Sequence, residues 1–331
     1  MEKQRKVLVS GGSGFIGTHL VRRLVGEGHD VYVLDNNSTS TTENISDLIK
    51  EGKIKFFHCD ISSALPANIT KIKFDRIYNL ACPASPKYFY SSPIEVLRAN
   101  VFGISNLLEL AKHCGARFFQ ASTSEVYGSA LKSPQDENYW GNVNPYGSRA
   151  CYDEGKRCAE AFIYAYKTMF NLDVRIARFF NTYGPCMTED DGRAVSNFIT
   201  QALNNKNLTI YGDGLQTRSF CYVDDLVNGI ELLMNIETPI DGPVNLGNDT
   251  EFTILELATL VLSKIQSGSQ IEFLDALPDD PTQRRPDINK ARKLLDYNIS
   301  VSLSKGLDKT IEYFMSRQKI EIALPSFQQM V

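Results

Sequence analysis

The chain has 331 residues, of which 43% are hydrophobic, and its formal charge at neutral pH is −4. This size suits one large core or two smaller ones, and the mildly acidic balance offers no electrostatic attraction for nucleic acid or an anionic membrane. The seven cysteines form no Cys-x-x-Cys pair and the four histidines are scattered, so we expect neither a disulfide framework nor a metal site. We find no signal peptide and no apolar run of about 18 residues, and we predict a cytoplasmic protein that does not enter the membrane.

Short β-rich runs alternate with helical patterns through the first half of the chain. The predicted strands cover residues 7–9, 31–34, 55–57, 76–80, 118–121 and 174–177. Between them apolar side chains recur at helical spacing, and two long helical stretches with apolar faces cover residues 95–113 and 149–169. This alternation predicts an α/β fold, a Rossmann-type doubly wound parallel sheet with helices on both faces.

The rhythm changes after residue 181, where turn signals become frequent and the helices become shorter. Examples are Tyr-Gly-Pro at 183–185, Gly-Asp-Gly at 212–214 and Asp-Gly-Pro at 241–243. We predict a Rossmann domain over residues 1–180, to which a later segment, roughly residues 215–247, returns. Residues 181–331 are expected to form most of a smaller, interwoven C-terminal domain.

A glycine-rich turn joins the first strand to the first helix. Its glycines allow a tight turn and a close approach of the backbone to a pyrophosphate, while the helix N-terminus offers free N–H groups. The second strand ends in Asp35, 18 residues after Gly17, where a carboxylate would accept hydrogen bonds from a ribose and repel a 2′-phosphate. We therefore predict that residues 1–180 bind NAD rather than NADP, with contacts from Gly11, Gly14, Phe15, Ile16, Gly17, Asp35 and Asn36.

Two further strand ends are assigned to the cofactor. Asp60 and Ile61 close the third strand, where such folds commonly meet the adenine, and Leu80 closes the fourth. Asp60 has a second role open to it, because a strand-end aspartate often caps a turn.

Tyr152 and Lys156 lie four residues apart in the predicted helix and share one of its faces. A tyrosine is a poor base at neutral pH, but a lysine cation beside an oxidised nicotinamide favours the phenolate. Thr123 lies where the strand 118–121 ends, and its hydroxyl suits a reacting oxygen. A Tyr/Lys pair alone would indicate a solvated helix face. Together with the glycine turn and Thr123, it predicts a dehydrogenase active site in which Tyr152 and Lys156 also contact NAD.

This order of motifs resembles the extended short-chain dehydrogenase/reductase superfamily along the whole chain. Finer motifs look like those of UDP-glucuronate decarboxylases, at residues 81–86 (ACPASP), 121–128 (ASTSEVYG), 149–157 (RACYDEGKR), 181–185 (NTYGP), 191–193 (DGR), 216–218 (QTR) and 284–287 (RRPD). Related epimerases usually lack a glutamate at the position of Glu125, and the 4,6-dehydratases carry an Asp-Glu pair where this chain has Ser124 and Glu125. The chain departs from the family pattern at Ser40, Ala99 and residues 186–190.

The resemblance implies decarboxylation of UDP-glucuronate to UDP-xylose through a 4-keto intermediate, with NAD recycled. Thr123, Tyr152 and Lys156 would act on the sugar O4, and Glu125 and Arg284 would act in the carboxylate step. Tyr211 would stack on uracil, although it could equally be a core aromatic residue at a strand end. Contacts to the sugar nucleotide are expected from Asn181, Arg193, Tyr211, Gln216, Arg218 and Arg284.

Other functions stay open. The substrate could be a related nucleotide uronate, such as a 2-acetamido sugar, or the chain could be a UDP-sugar C4-epimerase. A non-catalytic NAD-binding sensor is a further alternative, although an intact Thr123, Tyr152 and Lys156 set counts against it. In the superfamily, helices such as 95–113 and 149–169 pair across a dimer axis, so the resemblance also implies a homodimer.

Overall fold

The computed structural model describes residues 4–276 and 283–323. Its strands, in chain order, are β1 (Lys6–Ser10), β2 (Asp30–Asp35), β3 (Ile54–His58), β4 (Arg76–Asn79), β5 (Arg117–Thr123), β6 (Val174–Phe179), β7 (Thr182–Tyr183), β8 (Leu208–Tyr211), β9 (Thr217–Ser219), β10 (Cys221–Tyr222), β11 (Val244–Leu246), β12 (Glu251–Thr253), β13 (Ile271–Leu274) and β14 (Gln283–Arg284).

Its helices are α1 (Phe15–Gly26), α2 (Ser46–Lys50), α3 (Ala67–Thr70), α4 (Pro86–Ser91), α5 (Pro93–Arg98), α6 (Ile104–Cys114), α7 (Ala150–Phe170), α8 (Ala194–Leu203), α9 (Val223–Asn235), α10 (Ile254–Lys264), α11 (Asn289–Leu295) and α12 (Leu303–Ala323). Short 3-10 turns cover Thr42–Ile45 and Ser124–Tyr127, and a π-helical turn covers Ala99–Gly103.

A parallel sheet of seven strands forms the centre of the described chain, in the order β11-β6-β5-β4-β1-β2-β3. Alternate residues of β1 point to opposite faces. Val7 and Val9 belong to one apolar cluster with α1, while Leu8 belongs to a second cluster with α6 and α7. Both faces are therefore buried under helices, and the predicted Rossmann-type doubly wound sheet is confirmed.

The predicted helix 95–113 is divided into α5, a π-helical turn and α6. Asn100 lies within the π turn and is 2% exposed, and its side-chain amide donates to the Val96 carbonyl and to Cys82 Sγ. A Cβ added at Gly155 of α7 would lie 3.2 Å from Asn100 Cβ, so α7 packs closely at this turn. The irregular turn therefore fits the close packing of α7, which also carries Tyr152.

Three small sheets lie outside the central one among the described residues, in the orders β10-β7, β12-β9-β14 and β13-β8. The strand β11 instead pairs with β6 and extends the central sheet. The predicted division of the chain at residue 181 stays a prediction, and its outermost residues, 1–3 and 324–331, with the internal segment 277–282, lie outside the described residues. Within residues 4–276 and 283–323, no helix is both long and apolar enough for a membrane span.

Candidate active site

A cleft of about 1270 Å³ lies at the edge where the central parallel strands end. The cleft is larger than the pocket of a drug-sized ligand, so it has room for two extended molecules. It brings together all the residues that the sequence predicts for cofactor, substrate or catalysis, namely Gly11, Gly14, Phe15, Ile16, Gly17, Asp35, Asn36, Asp60, Ile61, Leu80, Thr123, Glu125, Tyr152, Lys156, Asn181, Arg193, Tyr211, Gln216, Arg218 and Arg284.

The glycine turn between β1 and α1 lines the cleft and is packed too tightly for a side chain at two of its positions. Gly11 has a φ of +75°, and a Cβ there would lie 2.7 Å from the backbone nitrogen of Ala81. A Cβ at Gly17 would lie 2.0 Å from the Gly11 carbonyl oxygen, so the helix can begin this close to the turn only with glycine. Gly14 caps α1 and has no side chain to cover its first N–H groups. This cradle fits a dinucleotide pyrophosphate.

Asp35 ends β2 and is held firmly at the cleft wall. Its Oδ2 accepts from the Ser13 backbone N–H at 3.0 Å, and its Oδ1 accepts from the Asn37 N–H at 2.9 Å and from the Ser40 hydroxyl at 3.3 Å. Ser40, one of the departures from the family pattern, therefore orients this carboxylate. The fixed position fits an acceptor for ribose hydroxyls.

Asp60 makes the hydrogen bonds of a residue that caps a turn, the second role that its position at a strand end predicts. Its Oδ1 accepts from the Ser62 N–H at 2.8 Å and from the Ser62 hydroxyl at 2.7 Å, while Asn36 donates to its Oδ2 at 3.3 Å. The neighbouring Ile61 is 3% exposed and packs against Gly103 of the π turn. Asp60 thus caps a turn and lines the cleft at the same time.

Tyr152 and Lys156 lie on the face of α7 that meets the end of β5. The Tyr152 ring stacks on Phe89, with ring centroids 4.6 Å apart. Lys156 donates to the Ala121 carbonyl at 2.9 Å, and its Nζ lies 5.7 Å from the centroid of the Tyr152 ring. Thr123 lies close enough to Tyr152 for its hydroxyl to lower the pKa of the phenol. The predicted hydroxyl–phenol–ammonium group is therefore assembled at one point of the cleft.

The protein groups raise the pKa of Tyr152. Burial is the main cause, the nearby Cys82 thiol adds to it, and the hydroxyl of Thr123 and the charge of Arg193 act in the opposite direction. The sequence predicts a lowered pKa from Lys156 together with an oxidised nicotinamide. The surrounding side chains do not produce this lowering by themselves, because desolvation of the phenolate outweighs them.

Glu125 is clamped between two arginines at the cleft wall. Arg284 of β14 donates to Glu125 Oε1 at 2.5 Å and to Oε2 at 3.0 Å, and Arg149 Nη2 lies 2.8 Å from Oε2. Burial alone would raise the pKa of Glu125, but the charges of Arg284 and Arg149 keep it lowered. Glu125 is therefore an anion that two cations share, and one positive charge is left over.

The sequence patterns assign no role to Arg149 or to Asp153, whose carboxyl is close enough to feel the charge of Glu125. Both lie in the motif at residues 149–157, and their separation of four residues puts them on one face at the start of α7. That spacing was the available signal. It was missed because the partner residues, Glu125 and Arg284, come from distant parts of the chain.

The same cleft is also lined by the residues that the sequence predicts for binding of the sugar nucleotide. Arg218 of β9 pairs in register with Arg284 of β14, so the two arginines stand side by side. Tyr211 ends β8 with its side chain 40% exposed, and Gln216 donates to its carbonyl at 2.7 Å. The arrangement offers adjacent cations and an exposed ring, which suits a diphosphate next to a base.

Two more predicted substrate residues, Arg193 and Asn181, line the same cleft. Arg193 Nε lies 2.8 Å from Asp191 Oδ2, and Arg193 is close enough to Tyr152 for its charge to lower the pKa of the phenol. Asn181 follows β6, and its carbonyl accepts from the Cys221 N–H at 2.9 Å.

Within the described chain, no three His, Cys, Asp or Glu side chains come together as a metal site would require.

The model of the family described as "GDP-mannose 4,6 dehydratase" matches residues 8–310 of the chain. The chain is also 51% identical over 314 residues to "UDP-glucuronic acid decarboxylase 1" of Danio rerio, a match that covers 95% of this chain and 73% of the relative. It is 47% identical over 315 residues to the protein of the same name from Arabidopsis thaliana, covering 95% of this chain and 71% of the relative.

Among solved structures, the fold is similar to that of UDP-glucuronic acid 4-epimerase from Bacillus cereus in complex with UDP-glucuronic acid and NAD. The TM-score is 0.85 at 30% sequence identity, and the match covers 94% of this chain and 99% of the epimerase. The shared scaffold thus extends over nearly the whole chain.

Proposed function

Because the chain belongs to the UDP-glucuronic acid decarboxylases within the GDP-mannose 4,6-dehydratase family, we propose that it converts UDP-glucuronate to UDP-xylose and carbon dioxide through a 4-keto sugar. The observation that carries the proposal is the clamp of Arg149 and Arg284 on Glu125, in the same cleft as Thr123, Tyr152 and Lys156. Oxidation and return of a hydride at C4 require only the latter three residues. The surplus positive charge of the clamp supplies a place for the C6 carboxylate.

The glycine turn and Asp35 would hold NAD, with the pyrophosphate at the start of α1 and the adenosine ribose at the end of β2. When bound, NAD supplies the hydride acceptor for the sugar C4, a positive charge that favours the phenolate, and later the returned hydride. Asp35 and its backbone partners would disfavour a 2′-phosphate on the same ribose. We therefore propose NAD as the cofactor, as the sequence predicts.

Tyr152 would act as the base toward the sugar O4 hydroxyl. Its phenol is buried, and Thr123, which lies near it in the cleft, would contact the same sugar oxygen. The Lys156 ammonium is fixed by the Ala121 carbonyl at 2.9 Å and lies on the side of the Tyr152 ring, where it would stabilise the phenolate. Loss of the O4 proton and the C4 hydride gives the 4-ketone.

The ketone at C4 lies β to the C6 carboxylate, so the C5–C6 bond can break. Its electron pair passes into the C5–C4–O4 enolate, and carbon dioxide leaves without charge. Tyr152 and Thr123 would stabilise the O4 anion by hydrogen bonds, as an oxyanion hole does. One proton then adds to C5, and return of the hydride to C4 with the proton to O4 gives the pentose. Glu125 and Arg284 would orient the carboxylate for this cleavage.

Arg218 and Arg193 would bind the diphosphate, Asn181 and Gln216 would contact phosphate or sugar oxygens, and Tyr211 would stack on the uracil. Bidentate guanidinium contacts suit phosphate oxygens, and the 40% exposure of Tyr211 leaves its ring accessible. A uridine diphosphate sugar substrate agrees with the names of the relatives and of the structural neighbour.

We also propose a homodimer in the cytoplasm. Ile94 of α5, Phe102 of the π turn and Tyr164 of α7 are each more than half exposed, which supports pairing of these helices across an axis. All seven cysteines are free thiols.

The proposed reaction is tested by incubating the purified protein with UDP-glucuronate, UDP-glucose and a UDP 2-acetamido uronate and identifying the products by mass. UDP-xylose from UDP-glucuronate is the expected product. UDP-galacturonate without loss of mass would make the chain an epimerase, and reaction of the acetamido substrate alone would move the specificity to that sugar. A protein that binds NAD but changes none of the substrates would be the sensor.

A further inference from the structure

Asp153 is a buried carboxylate behind the clamp of Arg149, Glu125 and Arg284. It follows Tyr152 on α7 and is 6% exposed, and its Oδ1 is buried without a hydrogen-bond partner among the described residues. Asp153 also lines a second cavity, of about 210 Å³, which is large enough to hold water. Glu125, Arg149 and Arg284 line both this cavity and the main cleft. They therefore form a wall between the substrate and Asp153.

The charged groups that face Asp153 come from several elements. Glu125 lies in the turn after β5, Arg284 lies on β14, Arg149 precedes α7, and Glu154 is the next residue on the same helix. Burial, followed by the charge of Glu125, raises the pKa of Asp153 to about 7 against the opposing charges of Arg149 and Arg284. Near neutral pH, both the acid and the carboxylate form of Asp153 are therefore populated.

The charge count of this group changes when a uronate binds. The two guanidinium groups and Glu125 leave one positive charge, which an ionised Asp153 cancels. A substrate carboxylate on the other side of the wall would then leave one uncompensated negative charge in a buried site, which is costly. A proton on Asp153 removes that charge without displacing any residue.

We propose that Asp153 takes up a proton when the substrate carboxylate binds, and that it acts as a positioning residue for this carboxylate through Arg149, Glu125 and Arg284. This inference rests on the proposed function. When the C5–C6 bond breaks, the departing carbon dioxide carries no charge and C5 gains one proton. Once the substrate carboxylate is lost as carbon dioxide, Asp153 is ionised again. One proton is therefore taken up at binding and one proton is consumed by the decarboxylation, so the two numbers agree.

The test measures proton uptake on binding, by titration calorimetry of the NAD-loaded enzyme in buffers of different ionisation enthalpy. Tyr152→Phe serves as the background because it should bind substrate without turnover. Binding of UDP-glucuronate should take up close to one proton at about pH 8, where Asp153 starts ionised, and much less at about pH 6, where it is already protonated. UDP-glucose, which carries no carboxylate, should cause no such uptake.

Two variants assign the proton to its residue. Asp153→Asn keeps the shape of the side chain but cannot titrate, so the uptake should disappear while UDP binding is retained. Glu154→Gln is the matched control, since it removes a carboxylate one residue away that is 38% exposed and pairs with Arg157, and it should leave the uptake intact. In turnover, KM for UDP-glucuronate should rise above about pH 7 in the wild type and stay level in Asp153→Asn.

Uptake that persists in Asp153→Asn, or equal uptake with UDP-glucose, overturns the inference. If Asp153→Asn does not fold, the comparison of the two sugars still decides, because no difference between them contradicts the proposal. Carbon dioxide formation without proton uptake on binding would reject the proposed protonation of Asp153 and leave the proposed decarboxylation intact. Uptake specific to UDP-glucuronate in an enzyme that forms no carbon dioxide would reject the decarboxylation instead.

Discussion

Two buried arginine–glutamate contacts lie close to the end of β5 and differ in what surrounds them. The core pair consists of Arg178 and Glu160, and the cleft cluster consists of Arg149, Glu125, Arg284 and Asp153. The glutamate side chains are nearly equally buried, with 15% exposure for Glu160 and 13% for Glu125. Burial of the carboxylate therefore does not distinguish a structural contact from a functional one.

The hydrogen bonds and the charge balance do distinguish them. Arg178 donates to both oxygens of Glu160, at 2.9 and 2.7 Å, Ser122 donates to the same carboxylate at 2.6 Å, and the remaining Arg178 bonds go to Tyr127 and the Glu137 carbonyl. One cation meets one anion there. In the cleft cluster, two cations meet Glu125 beside an acid of raised pKa, and cavities lie on both sides. A surplus of buried charge next to open space marks the place where an anion can enter.

The largest contrast is expected between Arg178→Met and Arg284→Met. Loss of Arg178 leaves Glu160 buried without the arginine that pairs with it among the described residues, which should lower the free energy of unfolding by about 3 kcal/mol or more. Loss of Arg284 leaves Glu125 with Arg149, so stability should fall far less while turnover of UDP-glucuronate falls on the order of 100-fold. Denaturant titration and product assays on both variants check this. Equal loss of stability in the two variants would contradict the distinction between a structural core pair and a functional cleft cluster.

Glu125→Gln sharpens the comparison within the cleft cluster. The variant keeps the hydrogen-bonding shape and leaves Thr123, Tyr152 and Lys156 in place, so removal of the C4 hydride should survive. Decarboxylation should slow on the order of tenfold to 100-fold, and bound NADH should accumulate with a 4-keto sugar, visible in absorbance and by rapid quench. If the Glu125→Gln variant instead shows the same time course as the wild type, without accumulated NADH, Glu125 has no part in the carboxylate step.

Glu231 on α9 is a buried carboxylate that lies away from the cleft, so it should affect stability alone. Burial and the nearby charge of Glu27 raise its pKa to about 7, and Tyr78 donates to it at 3.2 Å. The folded protein then binds a proton that the unfolded chain has already released, so stability should fall as pH rises from about 5 to above 7. The Tm of the wild type should drop by several degrees over this range, and Glu231→Gln should reduce the drop, the remainder belonging to Asp153, whose pKa is also raised to about 7 by burial. An unchanged pH profile in Glu231→Gln would place the titration elsewhere.

Asp35→Ala is expected to have the smallest effect. Its carboxylate would select between cofactors by repelling a 2′-phosphate, so its removal should narrow the preference for NAD over NADP without abolishing NAD binding. Fluorescence titration with NADH and NADPH measures the ratio. A wild type that binds both cofactors equally would show that Asp35 does not set the preference.

Local patterns were sufficient to predict the parts of the molecule that lie close together in sequence. The apolar runs matched β1 to β6, and the glycine turn was placed between β1 and α1, because strand burial and turn geometry depend on adjacent residues. The Tyr152 and Lys156 pair was predictable because one helix turn separates its members. The family resemblance then assigned roles that spacing alone could not.

The cleft cluster could not be derived from spacing. Glu125 and Arg284 are 159 residues apart, and their contact depends on the pairing of β14 with β9, two very short strands. The π-helical turn at Ala99–Gly103 also follows from tertiary packing, here against α7, and not from the helical pattern of its own segment. The family resemblance assigns Glu125 and Arg284 to one step, but spacing predicts neither their contact nor the part of Arg149 and Asp153 in it.

The central claim, that the cleft decarboxylates a uronate with a recycled cofactor, is tested most directly with UDP-glucuronate labelled at C6. The labelled carbon dioxide, UDP-xylose and NADH should be measured in the same reaction with a small amount of NAD. We predict that carbon dioxide and UDP-xylose form in equal amounts over many turnovers, with no net formation of NADH. Retention of the C6 label in a UDP-hexuronate, or formation of one NADH for each product, would contradict it.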